Sequence, residues 1–386
     1  MVWTLKEKTV DRQKLLGGLI VLVALIGVVV WKFIPSDSTT IQSVTQSVGF
    51  KKTPEAITIK GFIGGEKAGL FDSQRFKDIA SDRYGLTVQW RKAGGIEMVS
   101  QDPGDQDFLF PSAPFPVQLF KANFPSRVIK EETAFNSPIV LFTWTPIADS
   151  LIRSGYAKEI GGVIYMTNMK GLIDAVVTHK KWADIGVQGL FGSVTVYTTS
   201  PIKSSSGNLF AGLVATIAAD GDLASEAGMK SALVAVKNFY SRMGYMEDSS
   251  KDLFSQYLRM GMGAKPIIAG YEAQLVEFRR ENPDVWQAVK GKIKIIYPTP
   301  TVWSSHTVIA TSKNGTRLIS ALMDKDVQSL AWVDHGFRTG VSGAIGDTKS
   351  IGLEGIPATI DNVVPPPAAS QMQQIMDTIA PDQSAN

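Results

Sequence analysis

The feature that most constrains this chain is an apolar segment near its N-terminus, from Leu15 to Ile34, which reads LLGGLIVLVALIGVVVWKFI. It holds one charge, Lys32, close to its end. About 20 apolar residues, each rising about 1.5 Å, span the roughly 30 Å hydrocarbon core of a bilayer. A buried helix of this length in a globular protein normally shows a polar face, and this segment shows none. The segment therefore predicts a transmembrane helix over residues 15–34.

The charges on either side of this segment predict its orientation. Residues 1–14 carry four basic side chains against Glu7 and Asp11, whereas residues 35–50 carry a single charge, Asp37. Under the positive-inside rule, residues 1–14 lie in the cytoplasm and the globular part lies outside the cell membrane, held by a single pass through the lipid bilayer. A cleaved signal peptide is the alternative, but the run is long for that role and no small-residue cleavage motif follows it.

The remainder of the chain has the composition of a globular protein behind a tether. Residues 35–56 are rich in Ser, Thr and Gln and predict a linker. No later window is long and apolar enough to span a membrane, so we do not expect a channel or permease. With 386 residues, 44% of them hydrophobic and 19% charged, the chain is long enough for two folded lobes with their own cores.

Several functional classes are disfavoured by what the sequence lacks. It has no cysteine, which excludes disulfides, thiolate metal sites and a cysteine nucleophile. The net charge of +3, without a long Lys/Arg block, gives no reason to expect a nucleic-acid partner. His179, His306 and His335 lack metal-ligand spacing, and neither a G-x-S-x-G elbow nor a Walker motif is present. We expect no enzyme, no catalytic residue, no metal site and no cofactor, and interpret His306 as a structural histidine in a strand.

Strand and helix patterns alternate along the globular part. Strands are predicted at 57–63, 86–90, 107–110, 137–144, 194–197, 292–297 and 301–311, with 265–270 as a strand or turn. Helices are predicted at 71–84, 96–99, 147–154, 169–177, 209–218, 230–243, 251–261, 271–281, 317–335 and 371–379. Such alternation predicts an α/β fold with a mainly parallel sheet and helices on both faces.

A Ser/Gly turn, Ser204-Ser205-Ser206-Gly207-Asn208, lies between the predicted strand at 194–197 and the helix that follows. A helix start presents backbone N–H groups at the positive end of the helix dipole, which suits an anion or a polar ligand. The alternative is an ordinary serine N-cap. The pentapeptide by itself does not decide between the two.

Taken in order, these elements resemble the type II periplasmic solute-binding proteins, the extracytoplasmic receptors of bacterial ABC importers. The resemblance covers most of residues 57–340. It rests on short landmarks in the expected order: Ile57–Ile63, Tyr84-Gly85-Leu86-Thr87-Val88, Asp107–Ser112, Asn136–Leu141, Ser200-Pro201 through Gly207, Gly270-Tyr271-Glu272, Ile296-Tyr297-Pro298 and Trp332–Arg338. Asn208 stands where the family often has a second glycine, and a retained membrane helix is unusual among these receptors.

The resemblance implies a two-lobed fold, with lobe 1 at 57–137 and 300–386 and lobe 2 at 138–299, which traps a ligand in the cleft by hinge closure. Ligands in open α/β sheets bind beyond the carboxyl ends of strands. We therefore expect the ligand to contact residues that follow strands or start helices: Gly64, Gly65, Lys67, Ser112, Ser137, Ser205, Ser206, Gly207 and Tyr271. Hydroxyls, backbone N–H groups and Lys67 suit a small oxyanion or another polar solute, whereas Glu66 favours an amine.

These expectations describe a membrane-anchored, extracytoplasmic solute-binding protein that passes a small polar solute to a membrane permease. The alternative is the same fold used as a sensor or interaction module of a membrane complex, with the ligand optional or lost. An uncleaved anchor favours the alternative somewhat, because a tether suits a fixed partner.

Overall fold

Strands of a mixed sheet form the centre of the globular part. The computed structural model describes residues 54–340 and 347–383, without the side chains of 381–383. The strands are β1 (Ile57–Ile63), β2 (Leu86–Lys92), β3 (Phe108–Phe110), β4 (Lys130–Trp144), β5 (Lys158–Ile160), β6 (Val163–Met166), β7 (Ile267–Tyr271), β8 (Ile293–Pro298), β9 (Trp303–Ala310) and β10 (Arg338–Thr339).

Helices surround these strands, and short 3₁₀ turns join several of them. The α-helices are α1 (Ala68–Asp72), α2 (Gln74–Tyr84), α3 (Pro114–Asn123), α4 (Thr145–Arg153), α5 (Met169–Val177), α6 (Ser205–Ala218), α7 (Glu226–Tyr240), α8 (Ser250–Met260), α9 (Glu272–Glu281), α10 (Pro283–Val289), α11 (Thr316–Leu322), α12 (Lys325–His335) and α13 (Ala369–Gln383). The predicted membrane helix at 15–34 lies outside the described residues. Within the described part of the chain, no helix has the length and hydropathy to cross a bilayer.

The strand β4 belongs to two sheets. Its first half, up to Pro138, pairs with β9, and its second half pairs with β7 and β8. The strands run in the order β2-β1-β3-β9-β4-β8-β6-β5, with β7 and β10 attached to β4. Proline lacks a backbone N–H, so Pro138 cannot donate to the ladder at the point where β4 leaves one sheet for the other.

The expectation of a mainly parallel sheet is wrong. Parallel pairing joins β1 to β2 and β3, and β6 to β8. The long strand β4, however, pairs antiparallel with β7, β8, β9 and β10. Hydrophobic alternation reveals which residues form a strand but not the direction in which the strand runs. The antiparallel pairing of β4 with its neighbours was therefore not predictable from the sequence pattern.

Each sheet has its own apolar core. In the first sheet, a chain of rings links Phe71 to Phe110 (6.2 Å between centroids), Phe110 to Phe135 (6.1 Å) and Phe135 to Phe337 (5.3 Å). In the second, α6 is buried along almost its whole length among α5, α7 and α13. A helix buried on all faces is expected to be apolar on all faces. Beyond its first turn α6 is apolar except for Thr216, whose hydroxyl donates to Gly212 O at 2.9 Å.

Several predicted elements differ from those observed. The predicted strand at 194–197 is reduced to one bridge, in which Tyr197 N donates to Ile267 O (2.9 Å) and Tyr197 O accepts from Ala269 N (2.8 Å). The predicted helix at 317–335 is divided into α11 and α12, because Asp324 caps a new helix through Asp326 N (2.8 Å). The helix α3, which starts at a proline, was not predicted.

The C-terminal tail packs with the second sheet, although residues 300–386 were predicted to belong to lobe 1. Met372, Ile375 and Ile379 of α13 lie in the same core as α6 and α7. Ile351 and Ile356 pack into the core beneath β8. Apolar residues of the tail thus bury apolar side chains of the second sheet and its helices. The predicted assignment of all residues after 300 to lobe 1 therefore does not hold for the tail.

Candidate functional site in the cleft between the sheets

The ends of two parallel strands meet the start of a helix from the other sheet. Ile63 pairs with Phe110, so β1 and β3 end at the same sheet edge. Gly64 follows β1 directly, and Ser112 lies two residues beyond β3. The backbone N–H of Ser112 donates to Ser205 Oγ at 3.2 Å. The first turn of α6 therefore lies against the strand ends of the first sheet.

Five of the predicted ligand residues line one cavity at this point: Gly64, Gly65, Ser112, Ser205 and Tyr271. The cavity measures about 10 Å³. That volume corresponds to about one water molecule. A larger solute does not fit within this space in the structure as it stands.

Lys67 lies behind this cavity as one half of a buried ion pair. Its side chain is fully buried, and Nζ lies 2.6 Å from Glu66 Oε1. It also donates to Ser112 Oγ and lies 4.7 Å above the Phe110 ring. Ser112 Oγ in turn donates to Glu66. The Glu66 carboxylate thus occupies the position at Lys67 and Ser112 that an oxyanion ligand would need.

His306 completes this cluster, which we call the Glu66 cluster (Glu66, Lys67, Ser112 and His306). His306 Nδ1 lies 3.7 Å from Glu66 Oε1, and its Nε2 lies 3.1 Å from Ser304 Oγ. Burial, reinforced by Lys67, lowers the pKa of His306 well below its usual value. Burial opposes ionisation of Glu66, but Lys67, His306 and the hydrogen bonds outweigh it and lower the pKa to about 2. The carboxylate is therefore charged at neutral pH, whereas the imidazole is neutral.

This low pKa predicts a loss of stability in acid. A carboxyl whose folded-state pKa is depressed contributes stability that is present above its unfolded pKa of 4.5 and is lost as the pH falls towards 2. We expect the free energy of unfolding of the wild type, relative to a Glu66→Gln variant, to fall by about 3 kcal/mol between pH 5 and pH 2. Urea unfolding of both proteins at several pH values measures this difference. A pH-independent difference would contradict it.

Besides Lys67, three predicted ligand residues do not line the cavity. Ser137 Oγ accepts from Ala273 N (3.3 Å) in the first turn of α9. Ser206 Oγ bonds to Thr199 Oγ1 (2.8 Å), and Gly207 packs so closely that an added Cβ would lie 2.3 Å from Thr199 O. These residues hold the surrounding elements together.

The turn at Ser204 is not an ordinary serine cap. Ser204 is the N-cap of α6, but its side chain makes no capping hydrogen bond. Its hydroxyl instead bonds to Thr199 Oγ1 and Ser206 Oγ, both at 3.0 Å. The three hydroxyls satisfy one another, which leaves Ser205 as the serine of this turn that faces the first sheet.

Tyr271 brings a polar group with no clear partner to the cavity. It is the last residue of β7, and its side chain is buried. Its hydroxyl makes no hydrogen bond of good geometry with any residue that the structure describes. Burial first, and the Glu66 carboxylate second, raise the pKa of this phenol well above its usual value. Since Tyr271 is among the residues that line the cavity, its neutral hydroxyl is a candidate partner for a polar ligand.

A second buried ion pair joins three of the sequence landmarks. Arg338 donates to both carboxylate oxygens of Glu272, from Nε at 2.7 Å and from a terminal nitrogen at 2.9 Å. Tyr297 OH donates to Glu272 Oε2 at 2.7 Å. The guanidinium also donates to the carbonyl oxygens of Pro357 and Ala358. This cluster ties β8, α9 and β10 to the tail, beside the cavity.

An open groove adjoins the closed cavity and shares Ala93, Gly94 and Asp248 with it. Its volume is about 470 Å³, within the range of small-molecule sites, which is about 300–1,000 Å³. A larger depression of about 920 Å³ lies on another face, between β5, β8 and α10, and includes none of the predicted ligand residues.

Several residues that lie at the cavity or the groove were not among the predicted ligand residues. Glu66 was noted as a feature favouring an amine but was not among the predicted ligand residues, and His306 was interpreted as structural although its Nδ1 makes no hydrogen bond to any described side chain. Glu247, Ser249 and Ser250 were not considered, although a polar run just before a predicted helix was a visible signal. In residues 54–340 and 347–383, no group of three or more His, Asp or Glu side chains could hold a metal ion.

Comparisons with known proteins agree at the level of the fold. No family model and no curated protein matches the sequence. Among solved structures, a periplasmic thiamin binding protein matches with a TM-score of 0.56 and 8% identity, over 86% of this chain and 98% of that chain. The sulfate-binding protein SubI of Mycobacterium tuberculosis matches with 0.51 and 14%, over 85% and 98%. A maltose-bound protein of T. maritima matches with 0.51 and 13%, over 85% and 96%.

The names of these matched proteins give the solutes that those proteins bind, and at 8%, 13% and 14% identity the likeness concerns the fold alone. The matches span nearly the full length of each solved chain, so the likeness is not confined to one sheet. The chain therefore has the mixed α/β fold of the type II periplasmic solute-binding proteins.

Proposed function

We propose that this chain is a membrane-anchored, extracytoplasmic solute-binding protein that captures a small polar solute in the cleft between its two sheets. Residues 15–34 anchor it in the cell membrane with residues 1–14 in the cytoplasm. A membrane permease receives the solute. The proposal agrees with the solutes for which the similar solved structures are named, namely thiamin, sulfate and maltose.

The observation that carries this proposal is the convergence of five predicted residues on one cavity. Gly64 and Ser112 come from the first sheet, whereas Ser205 and Tyr271 come from elements of the second. Polar side chains from both sheets that meet around a shared space are what a solute enclosed by closure requires. The adjoining groove supplies the volume that the cavity lacks.

The small volume of this cavity, and the contacts of Glu66 behind it, favour a second function. The cavity holds about one water, and Glu66 already satisfies Lys67 and Ser112. A protein that fills its own cleft can stay closed without a solute. The second candidate is therefore a sensor or interaction module of a membrane complex, in which the ligand is optional or lost.

A thermal-shift screen of the full chain in detergent tests the proposal. A solute at 100 times its Kd adds about 2.7 kcal/mol of stability to the folded state. We expect one class among oxyanions, amines, amino acids and sugars to raise the Tm. Ser205→Ala should weaken that shift, because Ser205 lines the cavity.

Ser206→Ala is the matched control for this variant. Ser206 is the next residue and loses the same hydroxyl, but its hydroxyl bonds within the turn and does not line the cavity. The shift should persist in this variant. If no class of solute raises the Tm, the solute-binding function is refuted and the second candidate, the sensor or interaction module, is the one that stands.

A further inference from the structure

The groove beside the cavity is lined by an unusual set of side chains. Four carboxylates, one lysine and one large aromatic surround it: Lys92, Glu97, Tyr245, Glu247, Asp248 and Asp252. Tyr245 is 74% exposed. An exposed aromatic ring among carboxylates is a favourable surrounding for an organic cation, which the ring face and the negative charges both attract.

Lys92 of the groove and three lysines that contact carboxylates of the groove or cavity are each already paired. The Nζ–carboxylate distances are 2.6 Å for Lys67–Glu66, 2.6 Å for Lys92–Asp252, 3.2 Å for Lys203–Asp248 and 3.6 Å for Lys265–Glu247. An oxyanion would have to displace a carboxylate from one of them. Within residues 54–340 and 347–383, Glu97 has no such lysine partner, and it accepts from Gly94 N at 3.0 Å. The charge left over is therefore negative.

A buried acceptor without a partner lies in the groove wall. Glu247 is 4% exposed, and its Oε2 makes no hydrogen bond to any described residue. The hydroxyls of Ser249 and Ser250, which line the adjoining cavity, are also buried and unpartnered within that part of the chain. A buried carboxylate oxygen left unsatisfied is costly, and a ligand donor would remove that cost. These three acceptors lie within four consecutive residues, 247–250, where the groove meets the cavity, and together they suit a group that donates several hydrogen bonds.

We infer that the solute is a small organic cation whose ammonium group binds at Glu247, with Ser249 and Ser250 beside it and Tyr245 at the mouth of the groove. This inference rests on the proposed function and specifies its solute class. A primary ammonium has three donors and a full positive charge, which matches one carboxylate oxygen and two hydroxyls. Of the two ligand chemistries that the sequence left open, the structure favours the amine that Glu66 suggested over the oxyanion.

Isothermal titration calorimetry of the full chain with putrescine, sulfate and maltose tests this inference. We expect putrescine to bind and the other two not to bind. Glu247→Gln should raise the Kd for putrescine at least tenfold. Glu97→Gln should weaken it severalfold, and this exposed residue can be changed without disturbing a buried pair. Glu354→Gln, an exposed carboxylate at the 920 Å³ depression, is the control and should leave the Kd unchanged.

The outcomes separate this inference from the proposed function. If sulfate or maltose binds and putrescine does not, the inference that the solute is a cation is overturned, while the solute-binding function stands. Putrescine binding that neither Glu97→Gln nor Glu247→Gln weakens overturns the placement at this groove. If none of the three probes binds, putrescine included, the inference fails, and the function is then decided by the broader thermal-shift screen.

Discussion

Replacement of Glu66 by glutamine should destabilise the protein by about 3–5 kcal/mol, because it leaves the Lys67 ammonium buried without a countercharge. Lys67 is fully buried and takes Glu66 as its carboxylate at 2.6 Å. Burial already lowers the pKa of Lys67, and the Glu66 charge is what opposes that shift. Urea unfolding at pH 7 measures the loss as a change in midpoint at constant m-value.

A double variant distinguishes loss of a charge partner from loss of packing. If Glu66→Gln is costly because of the stranded ammonium, then adding Lys67→Met should recover a large part of the loss. Lys92→Met is the matched control, since Lys92 pairs with Asp252 at the same distance of 2.6 Å but both side chains are about half exposed. Its loss should be below about 1 kcal/mol. A loss for Glu66→Gln as small as that of the control would refute the argument.

Replacement of Arg338 by methionine should cost about 3–5 kcal/mol, because the Glu272 carboxylate would then be buried with Tyr297 as its main donor. Arg338 binds both oxygens of Glu272, which is itself 0% exposed. Arg338→Lys keeps the charge but loses the two-pronged geometry, so we expect an intermediate loss. Chemical denaturation of the three proteins measures the order.

Arg83 offers the matched control for this series. It also contacts two carboxylates, Asp324 at 3.0 Å and Asp326 at 2.6 Å, but its side chain is 47% exposed. Arg83→Met should therefore cost clearly less than Arg338→Met. If Arg83→Met and Arg338→Met lowered the free energy of unfolding equally, burial of the Arg338–Glu272 pair would not explain its contribution to stability.

The elements of the fold were largely readable in the sequence, while their pairing was not. The strand at 57–63 and the helix at 169–177 have the predicted limits, because clear alternation and helical spacing are local properties. The direction of β4, and its membership in two sheets, depend on contacts with β7 and β9 that lie far away in the sequence. Sequence periodicity contains no information on such contacts.

The candidate site was predictable in outline for a similar reason. Residues such as Gly64 and Ser112 were identified from their position after strands, which is a topological rule. The rule does not indicate which side chains turn inward to bond to one another. Ser137 and Ser206 bond to neighbouring backbone and side-chain groups instead of lining the cavity, and Lys67 turns inward to pair with the adjacent Glu66.

The shared strand β4 has a mechanical consequence. Where two bodies are joined by separate linkers, each can swing without disturbing the other. Here one continuous strand passes from the first sheet to the second at Pro138, with Ser137 attached to the start of α9. Any swing of one sheet must therefore bend this strand within reach of Tyr271 and the Glu66 cluster. A pull on either body from outside, by a membrane or by a partner, is transmitted to the cavity wall through the backbone itself.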